Sequence, residues 1–279
     1  MFAIILITIC CCSIISSIFI NQIVDNHSQY PLTYLSIWNS FSKLISIFYN
    51  PIEFTHENVL TIGKKQGWTD PENPSEINFN KRESYSGPIK LDKKTSRPIN
   101  PVQRTGITGR GLLGKWGPNH AADPIVLSIG EDGLEIILIK RLDNGKLAIP
   151  GGMVDIGEST SVTLTREFGE ESVSSMKDYE VKELLNNSEH CEIYRGCNKT
   201  DPRNTDNAWI ETLVVAFFLN AESRSQLKLC AGDDATNVMS INVSKILSGE
   251  IKLYSDHALF IKKAIYKLWK NEILSSDII

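Results

Sequence analysis

A chain of 279 residues, 42% hydrophobic and 22% charged, can bury a full core and still carry an added region or small second domain. Its net charge is -4 and its Lys and Arg residues are scattered. It therefore offers no electrostatic footprint for a nucleic-acid backbone, and nucleic-acid binding is not expected.

Residues 1–20 contain no charged side chain, and about 20 apolar residues suffice to cross a bilayer. Residues 1–24 are therefore expected to lie outside the globular fold, with membrane association through residues 2–20. A secretory signal normally has a basic leading region and a small-residue cleavage site, and a mitochondrial presequence is rich in Arg. Here the first basic residue is Lys43, so an uncleaved anchor, a cleaved secretory signal and organelle targeting all stay open. Cys10, Cys11 and Cys12 fall in this stretch, where thiols act as small hydrophobes or as palmitoylation sites. In residues 25–50, Leu35, Trp38, Phe41, Leu44, Ile45 and Phe48 recur at helical spacing. That pattern predicts an amphipathic connector, packed on the domain or lying along a membrane. Asn26, Asn186, Asn198 and Asn242 each open a glycosylation sequon.

Residues 51–119 are rich in Pro, Gly, Asn and Lys with little periodicity, and read as a loop-rich N-terminal region. The cluster Gly106, Gly109, Gly111, Gly114 and Gly117 has no strand before it or helix after it. It fails as a dinucleotide fingerprint and reads as a flexible loop against the main domain.

From 120 to 275 the pattern is that of a folded domain. Short apolar runs at 125–129, 134–140 and 146–149, separated by Asp132-Gly133 and Asn144-Gly145, predict a three-stranded meander. A helix is predicted from Ser159 to about Ser172, capped by Ser159 or Thr160. Residues 209–219 read as a buried central strand. Residues 255–269 read as a closing amphipathic helix, with Leu259, Ile261, Ala264, Ile265 and Leu268 inward. The fold class is α/β: a mixed sheet sandwiched between helices, preceded by an irregular N-terminal region. Cys191, Cys197 and Cys230 fit no zinc pattern and no disulfide framework.

The chemistry is concentrated between Gly152 and Val173. Glu167, Glu170 and Glu171 stand at i, i+3 and i+4 on the predicted helix, so their carboxylates share one face. Like charges so placed repel by a few tenths of a kcal/mol per pair, roughly 0.2–0.5. Gly169 adds roughly 1 kcal/mol against the helix. Such local cost is expected where function overrides stability. A hard divalent cation such as Mg²⁺ relieves the repulsion and favours carboxylates together with substrate phosphates. Arg166 can neutralise Glu170 one turn on, or reach back to Glu158 and fix the preceding loop.

Gly152, then Glu158 after five residues, then Arg166-Glu167-Phe168-x-Glu170-Glu171 after seven more, closely resembles the Nudix box. The pattern departs from that box at Val173 and Ser174, where a glycine and an aliphatic residue are usual, so the helix end is expected to differ in shape. The resemblance extends to residues 117–120, 147–155, 201–209, 231–235 and 253–257. Those segments look like the mitochondrial-type ADP-ribose diphosphatases, a family that includes the ADP-ribose-sensing domain of melastatin-type channels. It covers roughly residues 104–270.

The resemblance implies a Nudix-type fold and hydrolysis of ADP-ribose to AMP and ribose 5-phosphate; a monomer is expected. It implies that Gly152, through its carbonyl, and Glu167, Glu170 and Glu171 hold Mg²⁺ or Mn²⁺. Glu158 and Arg166 complete the catalytic set. The general base stays open among the box glutamates, Asp233 and Asp234, the last two also being placed with the substrate. Arg203, Asn204, Asp206 and Asn207 form a polar loop for ribose hydroxyls and phosphate, Trp209 is placed to stack on a base, and His257 to contact substrate. A sensor that binds without turnover, and a hydrolase of another nucleoside diphosphate, are the alternatives. By family the compartment is mitochondrial; by the N-terminal segment it is a membrane or the secretory pathway.

Overall fold

The computed structural model describes residues 49–275, apart from 103 and 232–234. The N-terminal apolar segment, most of the amphipathic connector, Asp233 and Asp234 lie outside the described residues. Among the described residues no helix is long and apolar enough to cross a membrane.

The N-terminal region begins with strand β1 (Ile52–Thr55) and two short helices, α1 (Glu57–Leu60) and α2 (Ile62–Gln66). Two 3-10 turns follow, Pro74–Glu76 and Phe79–Lys81. The glycine cluster corrects the expectation of a flexible loop, because Ile107–Gly111 form a buried strand, β2, paired in parallel with β1. Its glycines are needed for close approach: a side chain at Gly109, which has φ 86°, would meet the Phe54 carbonyl at 2.5 Å.

The meander is present as β3 (Gly117–Gly130), β4 (Gly133–Arg141) and β5 (Leu147–Ala148), successive strands pairing antiparallel. Strand β3 starts well before the apolar run at 125. Its first half takes up β6 (Gly152–Met153), with Ala121 opposite Met153 and Ala122 opposite Gly152. After β6 come helix α3 (Thr160–Ser172), helix α4 (Asp178–Asn186) and strand β7 (Glu189–Cys197). Strand β8 (Ala208–Leu219) is the expected central strand, and it lies parallel to β3 along its whole length. Helix α5 (Ala221–Gln226), strand β9 (Ala235–Asn242), helix α6 (Val243–Leu247) and helix α7 (His257–Lys270) complete the chain. The sheet order is β5-β4-β3-β8-β7, with β6 on β3 and β9 on β4.

Side chains alternate across this sheet and are buried on both faces. One face packs Ile125, Leu127 and Val214 against Phe260, Ile261, Ala264, Ile265 and Leu268 of α7. The other packs Val126, Leu213 and Val215 against Leu164 and Phe168 of α3 and Val181, Leu184 and Leu185 of α4. The sheet is thus sandwiched between helices, as the pattern of elements requires. The inward face of α7 differs from expectation at one position: Leu259 is 48% exposed and Phe260 is 2% exposed. The cause is phase, since buried His257 sets the i, i+3, i+4 series that runs through Phe260 and Ile261.

The N-terminal region docks on the sheet through polar ties. Glu211 of β8 is fully buried and accepts from the Ser84 hydroxyl at 2.8 Å and the Tyr85 amide at 2.5 Å. It also accepts from the Trp209 indole at 2.9 Å.

Candidate active site

The chain enters α3 through a loop held by its own charges. Ser159 caps the helix by accepting from the Val162 amide. Just before it, the Glu158 carboxylate accepts from Arg166 Nε at 2.9 Å and Nη2 at 3.0 Å, and from the Thr163 hydroxyl at 2.8 Å. These bonds, the Arg166 pair foremost, hold the Glu158 carboxyl down at about 2. Arg166 also donates to the Met153 carbonyl at 3.0 Å and to Glu170 at 3.0 Å. It thus pins loop to helix and neutralises Glu170.

The three helix carboxylates are unequal. Glu167 and Glu171 are 7% and 8% exposed, whereas the side chain of Glu170 is 59% exposed. Glu171 Oε2 accepts from the Gly151 amide at 2.8 Å. Glu167 sits under Gly152, where any Cβ would lie 2.4 Å from its Oε1. Both glycines answer to close contacts, Gly152 over the Glu167 carboxylate and Gly151 against Asp123 and the Ala122 carbonyl. Burial, outweighing the opposing pull of Arg166 and then reinforced by Glu171 and Glu170, pushes Glu167 up to about 8.

The departure from the box pattern at Val173 has a structural reason. Val173 is completely buried in the α3–α4 core and forms an isolated bridge with Cys230, so a side chain fills the place where a glycine is usual.

Gly151 and Gly152 also border a narrow cavity of about 40 Å³, whose lining includes Asp123, Arg141, Arg203, Tyr254 and His257. His257 is buried and its Nδ1 accepts from the Ile149 amide at 2.9 Å, which places the ring proton on Nε2. Burial, followed by the Arg141 charge, depresses its basicity to about 3, so the ring is neutral. Arg203 is held charged despite burial by Asp201, which it grips through two bonds of 2.9 and 2.7 Å. Asp123 accepts from the Thr212 hydroxyl at 2.5 Å, and burial pushes its carboxyl up to about 6.

Of the polar loop, Arg203 alone of the four singled-out residues reaches this cavity. Asn204 is occupied with the Asn198 carbonyl and the Ile210 amide. Asp206 accepts from Tyr49 and Thr105. Asn207 spans the Gly109 amide and the Pro98 carbonyl. Trp209 is 1% exposed, which leaves no ring face for a base. Asp206 and Asn207 tie the N-terminal region to the sheet, Asn204 braces its own loop against β8, and Trp209 bonds buried Glu211; these side chains are occupied within the fold. Asp123, Arg141 and Tyr254 were not singled out from sequence. The available signal was an Asp within the apolar run of β3.

The donors on α3 are oxygens only and they crowd, which suits a hard divalent cation; such an ion would have to displace the proton that burial favours on Glu167. As the side chains stand, no group of three His, Cys, Asp or Glu residues is gathered at metal-binding distance among the described residues. Glu170 is drawn toward Arg166 instead.

Gly151→Ala tests the loop. Its Cβ would meet Asp123 Oδ1 at 2.2 Å and the Ala122 carbonyl at 2.8 Å, and the carbonyl cannot rotate away. The expected loss is about 2 kcal/mol of stability, read by thermal unfolding. Parental stability would mean that the loop does not close on Asp123.

A glycine-bordered loop laid over a helix of crowded carboxylates, on a mixed sheet between helices, defines a Nudix domain. A family model described as "NUDIX domain" matches residues 118–263, and one described as "NUDT9-like, N-terminal domain" matches residues 43–117. The chain belongs to the Nudix family. It is 50% identical over 182 residues to "Putative nudix hydrolase 6" of Caenorhabditis elegans, covering 64% of this chain and 67% of that protein. It is 42% identical over 247 residues to "ADP-ribose pyrophosphatase, mitochondrial" of Rattus norvegicus, covering 77% of this chain and 67% of that protein. A 201-residue match at 41% identity, 65% of this chain, takes in 12% of "Transient receptor potential cation channel subfamily M member-like 2" of Nematostella vectensis.

Proposed function

We propose that the protein hydrolyses ADP-ribose to AMP and ribose 5-phosphate. The observation that carries this reading is a shared wall: the Gly151-Gly152 loop borders both the carboxylates of α3 and the cavity lined by Arg141, Arg203, Asp123 and Asp201. A diphosphate lying across the loop would face the carboxylates while one end of the substrate entered the cavity. Similarity to a relative named as an ADP-ribose pyrophosphatase supports the same substrate.

On this reading Arg203 and Arg141 offset phosphate charge, and the Nε2 proton of His257 and the Tyr254 hydroxyl donate to sugar hydroxyls. A neutral His257 orients the substrate and takes no part in proton transfer near neutral pH. Arg166, through Glu158 and the Met153 carbonyl, keeps the loop fixed over the helix. Glu167, Glu170 and Glu171, with the Gly152 carbonyl, would hold Mg²⁺ or Mn²⁺. Such an ion supplies Lewis acidity at the phosphoryl oxygens and acidifies water.

The test is release of AMP from ADP-ribose by the full chain, with and without Mg²⁺, beside NADH, diadenosine polyphosphates and UDP-glucose. Metal-dependent release selective for ADP-ribose is expected. Tight binding without release would replace the hydrolase with a sensor, and activity confined to another diphosphate would replace the substrate.

A further inference from the structure

Helix α7 has a second, exposed face, of which the fold contacts only the edge, through Lys263 on the Tyr194 ring. Its inward series, His257, Phe260, Ile261, Ala264, Ile265 and Leu268, is buried. Outward stand Leu259, Lys262, Lys263, Tyr266, Trp269 and Lys270, at i, i+3, i+4, i+7, i+10 and i+11, all exposed. Leu259, Tyr266 and Trp269 are 48%, 60% and 46% exposed.

Charge sets this face apart. Helix α7 carries four lysines and no acidic residue, in a chain whose net charge is -4. A solvated helix face commonly alternates signs so that i, i+4 pairs attract. Here Lys263 and Lys267 stand at i, i+4 with like charge, and Lys267 and Lys270 at i, i+3. Two of the four are steadied by the sheet: Lys263 lies 5.1 Å over the Tyr194 ring, and Lys267 donates to the Glu192 carbonyl at 2.6 Å. Lys262 and Lys270 have no ion-pair partner among the described residues. A partner that supplies many negative charges in one plane, with an apolar layer just beneath, would neutralise the lysines and take up the aromatic rings together. Tyr and Trp suit that boundary because each ring joins an apolar body to a polar tip.

We propose that the outward face of α7 docks on the surface of an anionic phospholipid membrane. The helix lies in the plane of the headgroups, with Leu259, Tyr266 and Trp269 reaching the acyl boundary and the lysines among the phosphates. The same chain begins with twenty uncharged residues.

The experiment is co-sedimentation of the full chain with phosphatidylcholine vesicles, with and without phosphatidylserine, at low and high salt. Lys262→Glu, Lys263→Glu and Lys270→Glu together form one variant, and Tyr266→Ser with Trp269→Ser a second. The wild type is expected to partition more strongly onto the serine-containing vesicles, with a gain that salt weakens. The lysine variant is expected to lose that gain by about a hundredfold, and to keep both its binding to phosphatidylcholine alone and its solution turnover. The aromatic variant should weaken binding to both vesicle types. Equal partition of the wild type on both compositions, or a serine-dependent gain that survives the lysine substitutions, would overturn the proposal.

Discussion

Glu170→Gln is expected to lower ADP-ribose turnover by about a thousandfold while leaving the fold intact. Glu170 is the exposed member of the three helix glutamates, and it forms an ion pair with Arg166 at 3.0 Å. Exposed i, i+4 pairs contribute about 0.5 kcal/mol, so the melting temperature should move by about 1–2 °C. The loss in rate would then report a missing anionic oxygen in the site. Glu171→Gln should fall as far in rate and further in stability, because Glu171 is buried and accepts the Gly151 amide. Turnover close to that of the parent, in variants whose melting curves are normal, would remove these glutamates from the catalytic set.

The second large effect couples protons, metal and stability at Glu167. Its ordinary value of 4.5 is raised to about 8 in the metal-free fold, chiefly by burial. Between those two values the folded state binds a proton that the unfolded state has released. Stability of the metal-free protein should therefore fall as pH rises through this window, by a few kcal/mol in all, on the order of 3. A divalent cation binds the ionised form and takes the place of the proton, so its stabilisation grows over the same range. Melting temperatures with chelator and with Mg²⁺, measured from about pH 5 to pH 8, should separate progressively as pH rises. Glu167→Gln should flatten the chelator curve. A gap as wide at the acid end as at the alkaline end would show that no proton is exchanged for metal at this residue.

The roles of these residues divide by how far apart in sequence their causes lie. The spacing of Glu158, Arg166, Glu167, Glu170 and Glu171 fixes their grouping, because helical periodicity and a capped N-terminus act within a few residues. Arg166 can reach Glu158 and Glu170 without help from the rest of the fold. The Asp132-Gly133 and Asn144-Gly145 turns mark the meander for the same local reason, and the box pattern carries the family. Burial is another matter. Arg166 contacts both Glu158 and Glu167, and their carboxyls are shifted in opposite directions because burial under the Gly151-Gly152 loop outweighs that contact at Glu167 alone.

The cavity depends on still longer range. Asp123, Arg141, Arg203 and His257 come from β3, β4, the loop before β8 and the start of α7. They meet because β3 and β8 pair in parallel and α7 packs across the sheet. The same pairing set Asp206 and Asn207 against the N-terminal region, whose polar groups needed hydrogen-bond partners, and turned Asn204 and Trp209 into the fold. In sequence these residues are as polar, or as aromatic, as a binding loop. The sequence by itself determined the helix, its charges and the family. Tertiary structure decided which carboxylates are dry, which side chains face the cavity and which face of α7 is left over, because desolvation and convergence arise only when distant segments pack.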